Sequence, residues 1–147
     1  MNAPSKVRGK ALVWVIRPGP VPRSHEVLLL ERPRHRGGGL HPVTGKADAR
    51  ETPAQTAARE AREETGLTGA LTDLGFEHRF TAAKPGKQPV DWVERAFLLQ
   101  VPAGSEPRLS EEHVARKWVA LGEVAALLEW AAHRESLKRA VELVRRV

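Results

Sequence analysis

Glu60, Glu63 and Glu64 fall within five residues of one another in the run GKADARETPAQTAAREAREETGL, residues 45–67. Carboxylates crowded in this way repel unless positive charge stands between them. A hard divalent cation is the charge that oxygen-only ligands suit, and cations so held usually handle phosphates. The same run carries Gly45, which lets the backbone turn or approach a ligand closely. Lys46 follows and could offer a cation to a phosphate. Glu51 has two readings, a partner for Arg59 or a simple complement to the N-terminal dipole of a helix; the pairing is preferred.

Those residues need a rigid carrier, and Thr52 to Thr65 reads as a helix. Thr52 suits the N-cap, Pro53 the first helical position, and Gln55 completes a capping box. Gly66 follows as the stop. At about 100° per residue, Ala54, Ala57, Ala58, Ala61 and Thr65 share one small-residue stripe that can lie close against a sheet. Glu60 and Glu64 share a second flank with Glu63 beyond them, and Arg59 and Arg62 fall on the other side. An exposed helix laced with salt bridges would place Arg or Lys four residues after Glu60. The residue there is Glu64, a like-charge pair in the half of the helix whose dipole disfavours it. Local violations of this kind are expected at functional sites.

Around this helix the chain alternates apolar strands with turns. Residues 7–17 and His25 to Arg32 read as strands, broken by Pro18, Gly19, Pro20 and Pro22. Pro33 to Gly39, PRHRGGG, reads as a flexible basic loop in which Arg34, His35 and Arg36 either hold phosphates or stay solvated. Leu40 to Gly45 is a short extended lead-in. Leu71 to Arg79 and Trp92 to Val101 read as strands, and Lys117 to Ala120 as one more. Leu121 to Trp130 and Arg134 to Arg145 read as helices. Strands mixed with a few helices indicate a compact α+β or mixed α/β domain, one unit across residues 1–147.

Composition narrows the partners. The chain has no cysteine, which excludes disulfides and thiolate zinc sites. It has no apolar run near the roughly 20 residues that span a bilayer, and no secretory pattern at its start. A cytoplasmic protein without a membrane partner is the expectation. The net charge of +6 is scattered in pairs and triples, with no block marking a nucleic-acid tail. Three Phe and no Tyr leave little for a base-stacking platform, so nucleic acid is a lesser expectation than a small anion. Nothing in the sequence bears on oligomeric state.

The 45–67 run resembles the signature of the Nudix hydrolase family: Gly45, five residues, Glu51, seven residues, Arg59-Glu60-Ala61, one residue, Glu63-Glu64, one residue, Gly66-Leu67. Seven fixed identities at ordinary residue usage give a chance match on the order of 10⁻⁸ per start. The resemblance implies an α/β/α sandwich around a mixed sheet with a loop–helix–loop catalytic motif. It implies hydrolysis of a nucleoside diphosphate-linked compound with Mg²⁺ or Mn²⁺. Glu60, Glu63 and Glu64 would bind metal or activate water, and Arg59 and Glu51 would form an internal pair orienting the helix. Gly45 would open the catalytic loop.

A narrower resemblance covers more of the chain. PVTGK at 42–46 and the segment from Glu111 to Leu137 are similar to the dihydroneopterin triphosphate pyrophosphatase branch and related nucleotide pyrophosphatases. This likeness makes Glu112 an added metal ligand outside the box and puts His113, Trp118, Trp130 and Arg134 on matching positions. On their own residues, Glu111-Glu112 read as an acidic helix start, and Trp118 and Trp130 as core. Two departures fall where a base or pterin would sit. Leu40-His41 replaces the usual aromatic before the PVTG segment, and His133 replaces an asparagine.

The resulting expectation is a phosphoanhydride hydrolase. Its substrate would be a nucleoside or pterin triphosphate cut to monophosphate and pyrophosphate. The candidate substrate contacts are Gly45, Lys46, Arg34, Arg36, His41, His133 and Arg134. Either Glu63 or Glu60 would take the proton of the attacking water. Dinucleoside polyphosphates, sugar nucleotides and RNA 5′ ends present the same diphosphate. A non-catalytic nucleotide-binding module is the reading from another class, opposed by the completeness of the glutamate set.

Overall fold

The computed structural model describes residues 6–108 and 115–146. The strands are β1 (Lys6–Pro18), β2 (His25–Glu31), β3 (Leu40–His41), β4 (Val43–Lys46), β5 (Ala70–Ala82), β6 (Val90–Gln100) and β7 (Arg116–Ala120). The helices are α1 (Pro53–Thr65), α2 (Leu121–Val124) and α3 (Ala131–Arg145). All seven strands join one mixed sheet whose main path runs β3-β2-β1-β6-β5. β1 and β6 are parallel, and the other pairs are antiparallel.

Alternation along β1 builds both faces. Leu12, Trp14 and Ile16 join the cluster that takes Leu137, Ala140 and Val144 of α3. Ala11, Val13 and Val15 join the cluster that takes Ala57 and Ala61 of α1. The result is helix, sheet, helix, the expected α/β/α sandwich. Trp14, fully buried, donates its indole N–H to Ser136 Oγ of α3 at 2.9 Å, so the largest core side chain also satisfies its one polar atom.

The helix α1 starts and stops as its sequence predicts. Thr52 accepts from the Gln55 amide, Gln55 returns the bond, and Gly66 takes the left-handed conformation at φ 72°. Its packing stripe is narrower than expected. Thr56, Ala57, Ala61 and Thr65 are buried, while Ala54 and Ala58 face solvent. The sheet therefore meets a sector of α1 rotated toward Thr56, which carries Glu60 and Glu64 inward with it.

One edge of β1 is shared by two strands. β2 pairs with Ile16 to Pro18, and β4 pairs with Lys10 to Val13. The chain crosses between them through the β3–β4 segment, opening the sheet at that point. Two other expectations are corrected. PRHRGGG holds a 3₁₀ turn at Arg34–Arg36 closed by Gly37 at φ 100°. Leu121 to Trp130 is not one helix: α2 lasts one turn, a 3₁₀ turn follows at Ala125–Leu127, and Leu128 is extended. Leu121, Val124 and Leu128 are all buried, and burying all three requires the chain to fold back. No helix among the described residues is long and apolar enough to cross a membrane.

The small residues of α1 set its distance from the sheet. Ala61 is 1% exposed and packs in the cluster with Val13 and Phe97. Ala61→Leu should destabilise the fold by about 1–3 kcal/mol through overpacking. A urea midpoint lowered at unchanged slope is the expected reading; an unchanged midpoint would show that α1 has room to retreat.

Candidate active site

Arg59 is the centre of the loop–helix junction. Nε and Nη2 grip both oxygens of Glu51, at 2.7 and 3.0 Å. Nη2 also donates to the Lys46 carbonyl at 2.8 Å. Nη1 donates to Glu60 at 3.0 Å and to Glu63 at 3.1 Å. A guanidinium has five N–H donors in a fixed fork, and these bonds engage all of them. The pairing reading of Glu51 is the one the structure adopts. Arg59 is not on a flank apart from the acids; Glu63, one turn on, lies beside it.

Glu51 in turn fixes the loop. It accepts the Asp48 amide at 2.7 Å and the Thr56 hydroxyl at 3.1 Å. With Arg59 against it, its carboxyl is held down to about 2. The guanidinium of Arg59 is correspondingly harder to deprotonate, chiefly through Glu51 and despite its own burial.

Glu60 faces the opposite pressure. Its side chain is 14% exposed, and burial pushes its proton affinity up. Arg59 opposes that shift, while the nearby Glu63 and Glu64 add to it. Gly45 of β4 lies directly against the Glu60 carboxyl, and a Cβ at that position would overlap it. The glycine is thus required by close approach, as its place in the run suggested.

Among the described residues no three carboxylates or imidazoles converge as a ready-made metal cage. Glu60 and Glu63 both turn to Arg59, and Glu112 and His113 lie outside the described residues. The donor set still fits a hard cation. It offers carboxylate oxygens only, and two of them already converge on one positively charged nitrogen.

On the other side of β4 a cleft of about 360 Å³ opens over the α3 face of the sheet. Its floor is Lys10 of β1, Glu94 of β6 and His78 of β5. Phe80, Thr44 and Arg32 form its sides, and Trp130 and His133, at the start of α3, close it. Thr44 faces the cleft while its neighbour Gly45 faces Glu60. The ammonium groups of Lys10 and Lys46 stand 5.9 and 5.6 Å over the Trp92 ring.

The sequence-predicted contacts divide. Gly45, Lys46 and His133 lie at this junction. His41 is beside it, its Nδ1–H donated to the Pro42 carbonyl at 2.7 Å, with burial holding its basicity down. Arg34 and Arg36 are exposed on the 3₁₀ turn and do not line the cleft. Arg134 does not line it either; its guanidinium donates to the Leu128 carbonyl at 2.8 Å and anchors the folded-back segment. Trp130, read from sequence as core, is 57% exposed at the cleft mouth. Lys10, Arg32, His78, Phe80 and Glu94 escaped sequence reading. A usable signal existed for Lys10 and Glu94: each is a charged residue at a core-facing position of an otherwise apolar strand.

Burial lowers the proton affinity of His133 to about 4, with His41 and Lys10 adding to the shift. Its Nδ1 is buried without a hydrogen-bond partner, and its ring meets Trp14 edge-on at 6.5 Å. The unfolded chain takes that proton near the usual 6.5. Between these values the unfolded state binds more protons, so the contribution of His133 is fully present above 6.5 and is lost as the pH falls towards 4. His133→Asn should flatten the loss of stability across that window, read as urea midpoints at successive pH values. An identical pH profile for the two proteins would refute the assignment.

A family model described as the NUDIX domain matches residues 9–140. An octanoyltransferase of Myxococcus xanthus is 38% identical over 140 residues, which is 95% of this chain but 38% of that protein. The chain therefore spans well under half the length of that relative. The bis(5′-nucleosyl)-tetraphosphatase (asymmetrical) of mouse is 32% identical over 120 residues, 77% of this chain and 76% of the relative. Among solved structures, the Escherichia coli dihydroneopterin triphosphate pyrophosphohydrolase superposes with a TM-score of 0.72 at 24% identity, covering 92% of this chain and 95% of that one. With the family model spanning the sheet, α1 and most of α3, the chain belongs to the Nudix family of hydrolases.

Proposed function

We propose that the protein hydrolyses a phosphoanhydride bond in a nucleoside or pterin triphosphate, releasing the monophosphate and pyrophosphate. The observation that carries this reading is the junction at β4. Residue 44 lines a cleft sized for a small molecule, and residue 45 lies against the half-buried carboxylate of Glu60. A molecule with its ring system in the cleft can extend a polyphosphate over β4 towards the α1 glutamates.

Nudix hydrolases generally use divalent metals such as Mg²⁺ or Mn²⁺. Glu60, Glu63 and Glu64 would hold such an ion, with Glu112 as a further ligand. When bound, the ion would neutralise phosphate charge and acidify a bound water. Glu63 or Glu60 accepts the proton of the attacking water. The water oxygen bonds to phosphorus as the anhydride P–O bond breaks, and the leaving phosphate takes the electron pair. Lys46 and Arg32 supply positive charge for the phosphates. Arg59, held by Glu51, fixes where the glutamates stand and needs no contact with the substrate.

A second reading is favoured by the mouse tetraphosphatase: a dinucleoside polyphosphate would present the same anhydride with a second nucleoside at the other end. A panel of nucleoside triphosphates, dinucleoside polyphosphates, sugar nucleotides, NAD and 5′-triphosphate RNA, scored by product masses with Mg²⁺, separates these. Metal-dependent release from none of them would favour a binding module.

Glu64→Gln should lower turnover by about 10²–10⁴-fold while leaving the thermal midpoint close to wild type. Near-normal turnover would remove Glu64 from the metal site. Reaction in ¹⁸O-labelled water should label one product only and so identify the phosphorus attacked. Gly45→Ala forces Glu60 to move, and a displacement near 1 Å costs on the order of 10²-fold in kcat. Full activity in that variant would show that the position of Glu60 is immaterial.

A further inference from the structure

Glu94 is a carboxylate in a costly place. It is 5% exposed in the middle of β6, facing the same way as the core residues Ala96 and Leu98. Burial without a compensating bond disfavours a charge strongly. Yet no described residue gives this carboxylate a hydrogen bond or an ion pair within contact distance; Lys10 and His78 act on it only through space. At the floor of a cleft, a bound molecule can supply the partner that the protein does not.

The strand register defines what that ligand must present. Lys10 of β1 pairs with Glu94 of β6, and His78 of β5 pairs with Glu94 from the other side. The three form a row across the sheet on one face, all lining the cleft. The row offers a cationic donor beside a two-oxygen acceptor. The walls offer π-faces, with His78 stacked on Phe80 at 5.2 Å and the exposed indole of Trp130 at the mouth. A flat heterocycle with one carbonyl next to two adjacent N–H donors satisfies every one of these groups. Its carbonyl meets Lys10, and its ring N–H and exocyclic amine meet the two oxygens of Glu94.

We propose that Glu94 and Lys10 read the base. The cleft would select the 2-amino-4-oxo edge shared by guanine and pterin rings. Adenine offers Glu94 one donor only, and hypoxanthine and lumazine lack the 2-amine. A site built to bond a group discriminates sharply against analogues that leave its buried polar atoms unpaired. This assignment rests on the proposed nucleotide chemistry for its biological setting, but its test does not.

The test is equilibrium binding to the full chain in EDTA, where no turnover occurs, followed by calorimetry or by quenching of Trp fluorescence. GMP should bind at least tenfold more tightly than IMP and AMP. In the pterin arm, 6-hydroxymethylpterin should bind at least tenfold more tightly than 6-hydroxymethyllumazine. A preference in one arm alone identifies which ring the site takes. Glu94→Gln, nearly isosteric, should bring the preferred pair within about threefold of each other. Lys10→Met should weaken GMP and IMP alike, since both keep the carbonyl. Equal binding of GMP and IMP together with equal binding of the two pteridines by the wild-type protein overturns the proposal, whether or not any variant folds. So does a preference that survives Glu94→Gln. A chain that hydrolyses nothing but shows the preference would refute the proposed reaction and leave base reading standing. A hydrolase without the preference would do the reverse.

Discussion

The guanidinium of Arg59 is a single planar group, and the local order of the site hangs on it. Its donors reach a residue of the loop before α1, two residues on α1 and a carbonyl of β4. A lysine has three donors on a flexible stem and could not hold the same set in one plane. The bonds tie strand, loop and helix into one rigid body, and they set the side chains of Glu60 and Glu63 relative to the sheet. They also hold positive charge where carboxylates crowd, and so offset part of the repulsion between them.

The sheet supplies the second constraint. Because β1 gives up its pairing with β2 and takes β4 instead, the sheet opens where Lys10, Arg32 and Thr44 meet. A closed sheet would bury that face under α3 from end to end. The opening leaves the start of α3 uncovered, and Trp130 stays exposed for the same reason. Folding the segment from Leu121 to Leu128 back onto the core, with Arg134 holding its carbonyl, brings the start of α3 over the cleft.

How much of this was legible in the sequence follows from distance along the chain. The box could be read because its members lie on one loop and one helix, where spacing alone fixes the geometry. The start and stop of α1 are likewise local chemistry. The cleft could not be read, because Lys10, His78 and Glu94 meet only through the register of three strands. That register depends on a parallel pairing that no local pattern announces. Arg34 and Arg36 were attractive as cations of a basic loop near the motif, and Arg134 through the C-terminal resemblance; the structure gives the first two to solvent and the third to a backbone carbonyl. The sector of α1 that packs was misplaced because alanines mark closeness without marking direction. Thr56, polar by type, is buried where Ala54 and Ala58 are not.

Successive residues of a strand point to opposite faces, and β4 uses this at a single peptide bond. Thr44 belongs to one layer and Gly45 to the other. On the proposed function, the part of the molecule that chooses a ligand and the part that cuts it are carried by different side chains in different layers, joined by about one residue of backbone. A side chain in the cleft can then be exchanged without touching α1, so selectivity and chemistry can be altered one at a time.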